Sequence, residues 1–170
     1  MPAISIRRAR VEDLPAITEI YNEAVATTIG TFDTEPKSAD DRRRWFLGHG
    51  PRHPILVSES DGRVVGWAAL SPWSDRLAYE RTAEIHVYVA SAARERGIGT
   101  RLVRTLLDVA PDSGIHAILA RIASGNDVSL RLHESFGFER VGTLQEVGTK
   151  FGRLLDVHLL EYIVPESPRA

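Results

Sequence analysis

The apolar pattern along this chain predicts an α/β protein, a mixed sheet of about seven strands with helices on both faces. Three observations predict it. Strand-like alternation and helix-like stripes interleave in the order β-α-α-β-β-β-α-β-α-β-β. In the middle of that order a strand, a loop, a helix and another strand follow one another, a crossover that implies a mixed sheet with helices on its faces. The 170 residues, 43% hydrophobic and 26% charged, suffice for one full core. We therefore expect a single domain over 1–164 and a tail, "PESPRA", over 165–170.

Each element has its own signal. "ISIRRA" alternates as a short strand. In "VEDLPAITEIYNEAVA" the residues Leu14, Ile17, Ile20, Tyr21 and Ala24 recur at helical spacing, with Asp13 as the expected cap. "SADDRRRWFLGHG" reads as a more polar helix capped by Ser38. "PILVSES" and "RVVGWAAL" flank Asp61-Gly62, a hairpin signal. "TAEIHVYVA" is a strand rich in β-branched residues, followed by "RERG" and a helix whose Ile98, Leu102, Val103, Leu106, Leu107 and Ala110 form one stripe. "IHAILARIA" reads as a buried strand and "NDVSLRLHESF" as a helix stopped by Gly137. "FERVGTLQEV" and "LLDVHLLEYIV" complete the sheet, with the turn expected between Gly148 and Gly152.

Composition narrows the chemistry. A net charge of −2 gives no electrostatic case for nucleic acid. The absence of cysteine excludes disulfides, thiolate catalysis and cysteine zinc sites. His49, His53, His116 and His158 show no ligand spacing, so no metal is expected. No apolar run is long enough to span a bilayer and "MPAISIRRARVEDL" is no signal peptide, so a cytoplasmic protein without membrane partners is expected.

The loop "RERGIGTRL" stands between a strand and a helix. Glycine in a helix costs about 1 kcal/mol relative to alanine. Gly97 and Gly99 expose the free N–H groups of a helix N-terminus, which attract anions, and Arg94 and Arg96 add positive charge. A P-loop would need Lys-Ser/Thr after its glycines, whereas Thr100-Arg101 follows here; a dinucleotide fingerprint would need a third glycine. Taken alone, the loop is either a phosphate cradle or an uncommitted glycine-rich turn.

Arg94-x-x-Gly97-x-Gly99, followed by "NDVSLRLHESFGF", resembles the paired acetyl-CoA motifs of the GNAT acetyltransferase superfamily. "TIGTFDTEP", "TAEIHVYV" and "VGTKFGRLLD" extend the resemblance, over nearly the whole chain, to phosphinothricin and methionine sulfoximine/sulfone N-acetyltransferases. Leu154 stands where those enzymes usually carry tryptophan. The resemblance implies a GNAT fold, a twisted, mostly antiparallel sheet with splayed central strands, in a homodimer. It also implies direct acetyl transfer from acetyl-CoA to the α-amine of a small amino-acid-like acceptor, in a ternary complex. Other small amines or protein amines as acceptors, and a non-catalytic acyl-CoA-binding module, are the alternatives.

For the cofactor, the resemblance implies Arg94, Arg96, Gly97, Ile98, Gly99 and Thr100 at the pyrophosphate. It adds Asn126 and Ser129 from the following helix and the main chain of Val87, Tyr88 and Val89 at the thioester carbonyl. Glu84 is the expected base. It is a carboxylate in an otherwise apolar strand, the alternative being a simple ion pair with an arginine. Such a base is useful because deprotonating an amine at pH 7 costs about 4.6 kcal/mol at pKa 10.4 and about 1.4 at pKa 8. His133 shares a helical stripe with Asn126 and Ser129; beside apolar Leu132 and Phe136 it reads by itself as a satisfied core group. The resemblance implies it as the second catalytic residue, as acid or as base. His86 shares the face of Glu84 and is expected to be structural. Phe32, Arg76 and Tyr79 match acceptor-pocket positions, Arg76 as a carboxylate partner; Trp73 and Lys150 are weaker contributors.

Overall fold

The computed structural model describes residues 3–166; positions 167–170 of the expected tail lie outside the described residues. Seven strands form one sheet in the order β1-β2-β3-β4-β5-β7-β6. They are β1 (Ile4–Arg8), β2 (Ile55–Ser60), β3 (Arg63–Pro72), β4 (Thr82–Val89), β5 (Ala117–Ala123), β6 (Glu139–Lys150) and β7 (Arg153–Ile163). Every neighbouring pair is antiparallel except β4–β5, the pair joined through α3. Helices α1 (Leu14–Thr27) and α2 (Ala39–Leu47) precede β2, α3 (Ile98–Val109) makes the crossover, and α4 (Asp127–Ser135) links β5 to β6.

Strand alternation divides the core between the two faces. Leu56, Ala68, Leu70, Ile85 and Ile118 pack with Leu102, Val103 and Leu106 of α3 and with Leu130 of α4. On the other face Val57, Trp67 and Ala69 pack with Ile17, Tyr21 and Val25 of α1. The β3–β4 register sets Glu84 opposite Ser71 and Tyr88 opposite Trp67, so Glu84, His86 and Tyr88 face the α1–α2 side.

Local signals were realised with two differences. Asp61 (φ 52°) and Gly62 (φ 73°) make the tight β2–β3 turn. Ser38 caps α2, accepting from the Asp41 N–H at 3.1 Å while Asp41 reaches back to the Ser38 N–H. Gly137 (φ 92°) stops α4, and the Phe138 N–H returns to the His133 carbonyl. Asp13, in contrast, caps no helix N–H with its side chain. Its carboxylate accepts from the Arg10 N–H and pairs with Arg7 at 2.7 Å, because a guanidinium outbids a neutral helix amide. The second difference lies in the final hairpin. Its turn is only Phe151-Gly152, and β6 runs through Gly148 to Lys150 with two register shifts.

Candidate active site

The β4–β5 ladder stops early. Thr82, Ala83 and Glu84 pair with Ala117, Ile118 and Leu119, and no pair follows. From Ile85 to Val89, β4 keeps a partner only on its β3 side. Every second N–H of that stretch, in the run containing Val87, Tyr88 and Val89, therefore faces an unzipped gap, free for a ligand carbonyl. Glu84 stands at the fork.

Beyond β4 the chain makes a short 3-10 turn, Ser91–Ala93, and enters the arginine-glycine loop. Glu95 (φ 61°) and Gly97 (φ 72°) both adopt left-handed backbone there. That conformation costs a non-glycine residue about 1–2 kcal/mol, so the loop holds an unfavourable shape at Glu95. Nothing lies within 4 Å of where a Gly97 Cβ would stand. Gly97 caps α3, whose first internal bond runs from the Arg101 N–H to the Gly97 carbonyl. The N–H groups of Ile98, Gly99 and Thr100 precede that bond and have no helical acceptor. A Cβ on Gly99 would meet only Leu132 Cδ2, at an ordinary 3.4 Å, so the fold itself does not demand glycine there. Arg94 is exposed and donates from Nε to the Val89 carbonyl at 3.4 Å; Arg96 reaches Ser60 Oγ, also at 3.4 Å. Each uses one long bond and keeps most of its five donors. These groups fit a pyrophosphate: bare amides, a helix dipole and two guanidinium groups.

Asn126, Ser129 and His133 meet as their spacing predicts. Asn126 Oδ1 accepts from the Ser129 N–H, capping α4. His133 is 4% exposed, and its Nδ1 lies 2.8 Å from the Ser129 carbonyl. A carbonyl only accepts, so Nδ1 carries the proton and Nε2 offers a lone pair. Burial holds the imidazole below its ordinary pKa, hence neutral. The Phe138 ring stands edge-on at 5.1 Å. His133 belongs to α4, across the sheet from Glu84.

Glu84 is 9% exposed, and the arginine partner left open as an alternative is present. Arg121 of β5 donates from Nε to Oε1 and from Nη2 to Oε2, both at 2.7 Å. The Arg121 side chain is 54% exposed and that of Glu84 only 12%. The guanidinium also lies 5.5 Å from the Trp73 ring centre. Sequence reasoning missed Arg121, although it was the one charge in "AILARIA", as Glu84 was in its own strand. Two lone opposite charges in adjacent parallel strands were the available signal.

Arg42 was also missed. It is 4% exposed and lies over the Tyr21 and Trp45 rings at 4.5 and 4.6 Å, with no carboxylate in ion-pair range among the described residues. Burial pushes its pKa down. With Tyr21, Asp33, Trp45, Trp67 and His86 it lines a cavity of about 300 Å³ on the Glu84 face. His86 is held below its ordinary pKa by burial there.

Of the acceptor candidates, Arg76 and Tyr79 line a second hollow of about 170 Å³ together with Arg52 and His53. Phe32 lies elsewhere, with its ring across β6. A Cβ on Gly148 would stand 2.1 Å from Phe32 Cε2, so only glycine permits that contact. Lys150 is buried and donates to the Thr31 carbonyl at 2.8 Å, which anchors the loop carrying Phe32. Leu154 is 61% exposed.

Comparison with known proteins identifies the family. Residues 15–138 match the model of the acetyltransferase (GNAT) family. A phosphinothricin N-acetyltransferase of Streptomyces coelicolor is 41% identical, over 91% of this chain and 92% of its own. An L-methionine sulfoximine/L-methionine sulfone acetyltransferase of Pseudomonas paraeruginosa is 39% identical, with 92% of each chain covered. The crystal structure of a GNAT superfamily phosphinothricin acetyltransferase from Sinorhizobium meliloti, in complex with acetyl-CoA, superposes with a TM-score of 0.92 at 31% identity. That match covers 97% of this chain and 90% of the other. A family model matched over residues 15–138, with acetyltransferase relatives about 40% identical over nine-tenths of both chains, leads to one statement: the chain belongs to the GNAT acetyltransferase family.

Proposed function

We propose that this protein transfers the acetyl group of acetyl-CoA to the α-amine of a small amino-acid-like acceptor of the phosphinothricin or methionine sulfoximine/sulfone type. One observation supports the reading: β4 loses its β5 partner just after Glu84, a carboxylate only 9% exposed, and the same strand runs on toward the Gly97 cap of α3. Acetyl-CoA supplies the acyl group as an activated thioester. The amides of Ile98, Gly99 and Thr100, with Arg94, Arg96 and Gly97, hold its pyrophosphate. Asn126 and Ser129 flank the same ligand from α4, and the main chain of Val87, Tyr88 and Val89 receives the carbonyl.

Glu84 accepts the proton that the acceptor ammonium must lose. His133, neutral with Nε2 unprotonated, takes a hydrogen bond or a proton from the reacting groups on the opposite side. The sequence pointed to Arg76 as the partner of the acceptor's carboxylate. Because Arg76 and Tyr79 line the second hollow and not the Glu84-side cavity, they are assigned the polar end of the acceptor's side chain instead. Phe32, next to Asp33 of the Glu84-side cavity, walls its edge. The exposed Val141, Leu144, Val147 and Leu154 of the last hairpin are the surface on which two copies associate.

The test is thiol release from acetyl-CoA with phosphinothricin, methionine sulfoximine, methionine sulfone, a polyamine and a lysine peptide. Turnover is expected with the first three, falling about 100-fold or more at pH 7 in Glu84→Gln. Unchanged turnover in that variant would remove Glu84 as the base.

A further inference from the structure

The Glu84–Arg121 pair poses a difficulty for its own site. A base needs a lone pair facing the substrate, yet both Glu84 oxygens accept from one guanidinium at 2.7 Å. We propose that this pair is the recognition slot for an α-amino-acid zwitterion. The acceptor's α-carboxylate takes the Arg121 fork, and its α-ammonium replaces the guanidinium on Glu84. The inference rests on the acetyltransferase reading above and names the residue that selects the acceptor.

Three features support the exchange. The charges match, because inserting a zwitterion replaces one ion pair by two, so neither Glu84 nor Arg121 is left without a counter-charge in the bound state. The mobile member is identifiable: Arg121 lies on β5 two residues past the last β4–β5 pair, with its side chain half exposed, whereas Glu84 is nearly covered. A resting surface is also present, since Trp73 offers its ring 5.5 Å from the guanidinium, and Arg stacks on indole. The planar fork then binds a carboxylate bidentately, as it now binds Glu84.

The arrangement selects by what it withholds. An amine without a neighbouring carboxylate finds Glu84 occupied and has nothing with which to draw Arg121 away. An α-amino acid frees the base in the act of binding. Discrimination therefore runs against intrinsic reactivity, because the amine of an amino-acid amide is less basic and more often unprotonated at neutral pH.

The experiment compares methionine sulfone with its carboxamide on the wild-type enzyme, on Arg121→Ala and on Arg121→Lys. Wild type is expected to favour the acid by about 100-fold in kcat/KM, the discrimination of a site built to bind a charged group. Arg121→Ala is expected to bring that ratio within about 3-fold by losing the acid, with acetyl-CoA KM changed less than about 2-fold. Arg121→Lys, which keeps the charge and loses the fork, should fall between them. Wild type using acid and carboxamide equally would overturn the proposal without any variant. So would an unchanged ratio in Arg121→Ala, while turnover of the acid still upheld the acetyltransferase reading. Turnover of no amino acid or amide at all would overturn both.

Discussion

Single side chains in this protein carry tasks that their burial makes readable. His133 is fixed by two constraints, the Ser129 carbonyl on Nδ1 and the Phe138 ring beside it, and burial keeps it uncharged. Replacing it with phenylalanine keeps a ring against Phe138 and removes both nitrogens. We expect kcat to fall about 10- to 100-fold, the scale of a lost proton-handling group, with a smaller proportional loss of melting temperature. Equal kcat in wild type and variant would reduce His133 to packing. Helix spacing told that His133 would lie beside Ser129, but its candidacy for catalysis came from the family resemblance. Arg121 stayed hidden because its partner is 37 positions away, across a crossover whose register no local pattern states.

At the scale of elements, the start of α3 carries a glycine that its packing does not require. Alanine at Gly99 would meet Leu132 at an ordinary contact distance and would favour the helix by about 1 kcal/mol. Gly99→Ala should therefore melt no lower than wild type, while Gly99→Val should raise the acetyl-CoA KM about 10-fold or more. An unchanged KM with valine would separate the loop from cofactor binding. Calorimetry and steady-state kinetics on the same preparations check both. The elements themselves were legible because each has its own period and punctuation: the Asp61-Gly62 turn, the Ser38 box, the Gly137 stop. What local chemistry could not show was competition. Arg7 from β1 draws the Asp13 carboxylate away from α1, and Phe32 seats itself on β6 where Gly148 leaves room.

At the scale of the whole molecule, burial acts on four of the six histidines. His49, His53, His86 and His133 are all held below the ordinary value of 6.5, in each case chiefly by burial. The sign follows from linkage. The unfolded chain takes up protons as pH falls through about 6.5, the folded chain does so only at lower pH, and stability is lost over that interval. The melting temperature should thus fall between pH 7.5 and 5.5, and a flat profile would contradict the burial of these rings. Fold class was visible at this scale because the described residues' seven strands and four helices, with crossovers through α3 and α4, admit few topologies. The fork between β4 and β5 was available only through family resemblance, since a strand that loses its partner midway keeps the same apolar alternation as one that does not.

That fork has a mechanical side. A sheet laced through only Thr82–Glu84 at its centre behaves as two leaves, β1–β4 and β5–β7, joined along a short spine and by the α3 crossover. Hydrogen–deuterium exchange of the ligand-free protein should find the amides of Ile85–Val89 quick on the side that lacks a neighbour, though they lie mid-sheet. A guest wedged between the leaves then acts as a clasp, slowing that exchange and stiffening both halves together.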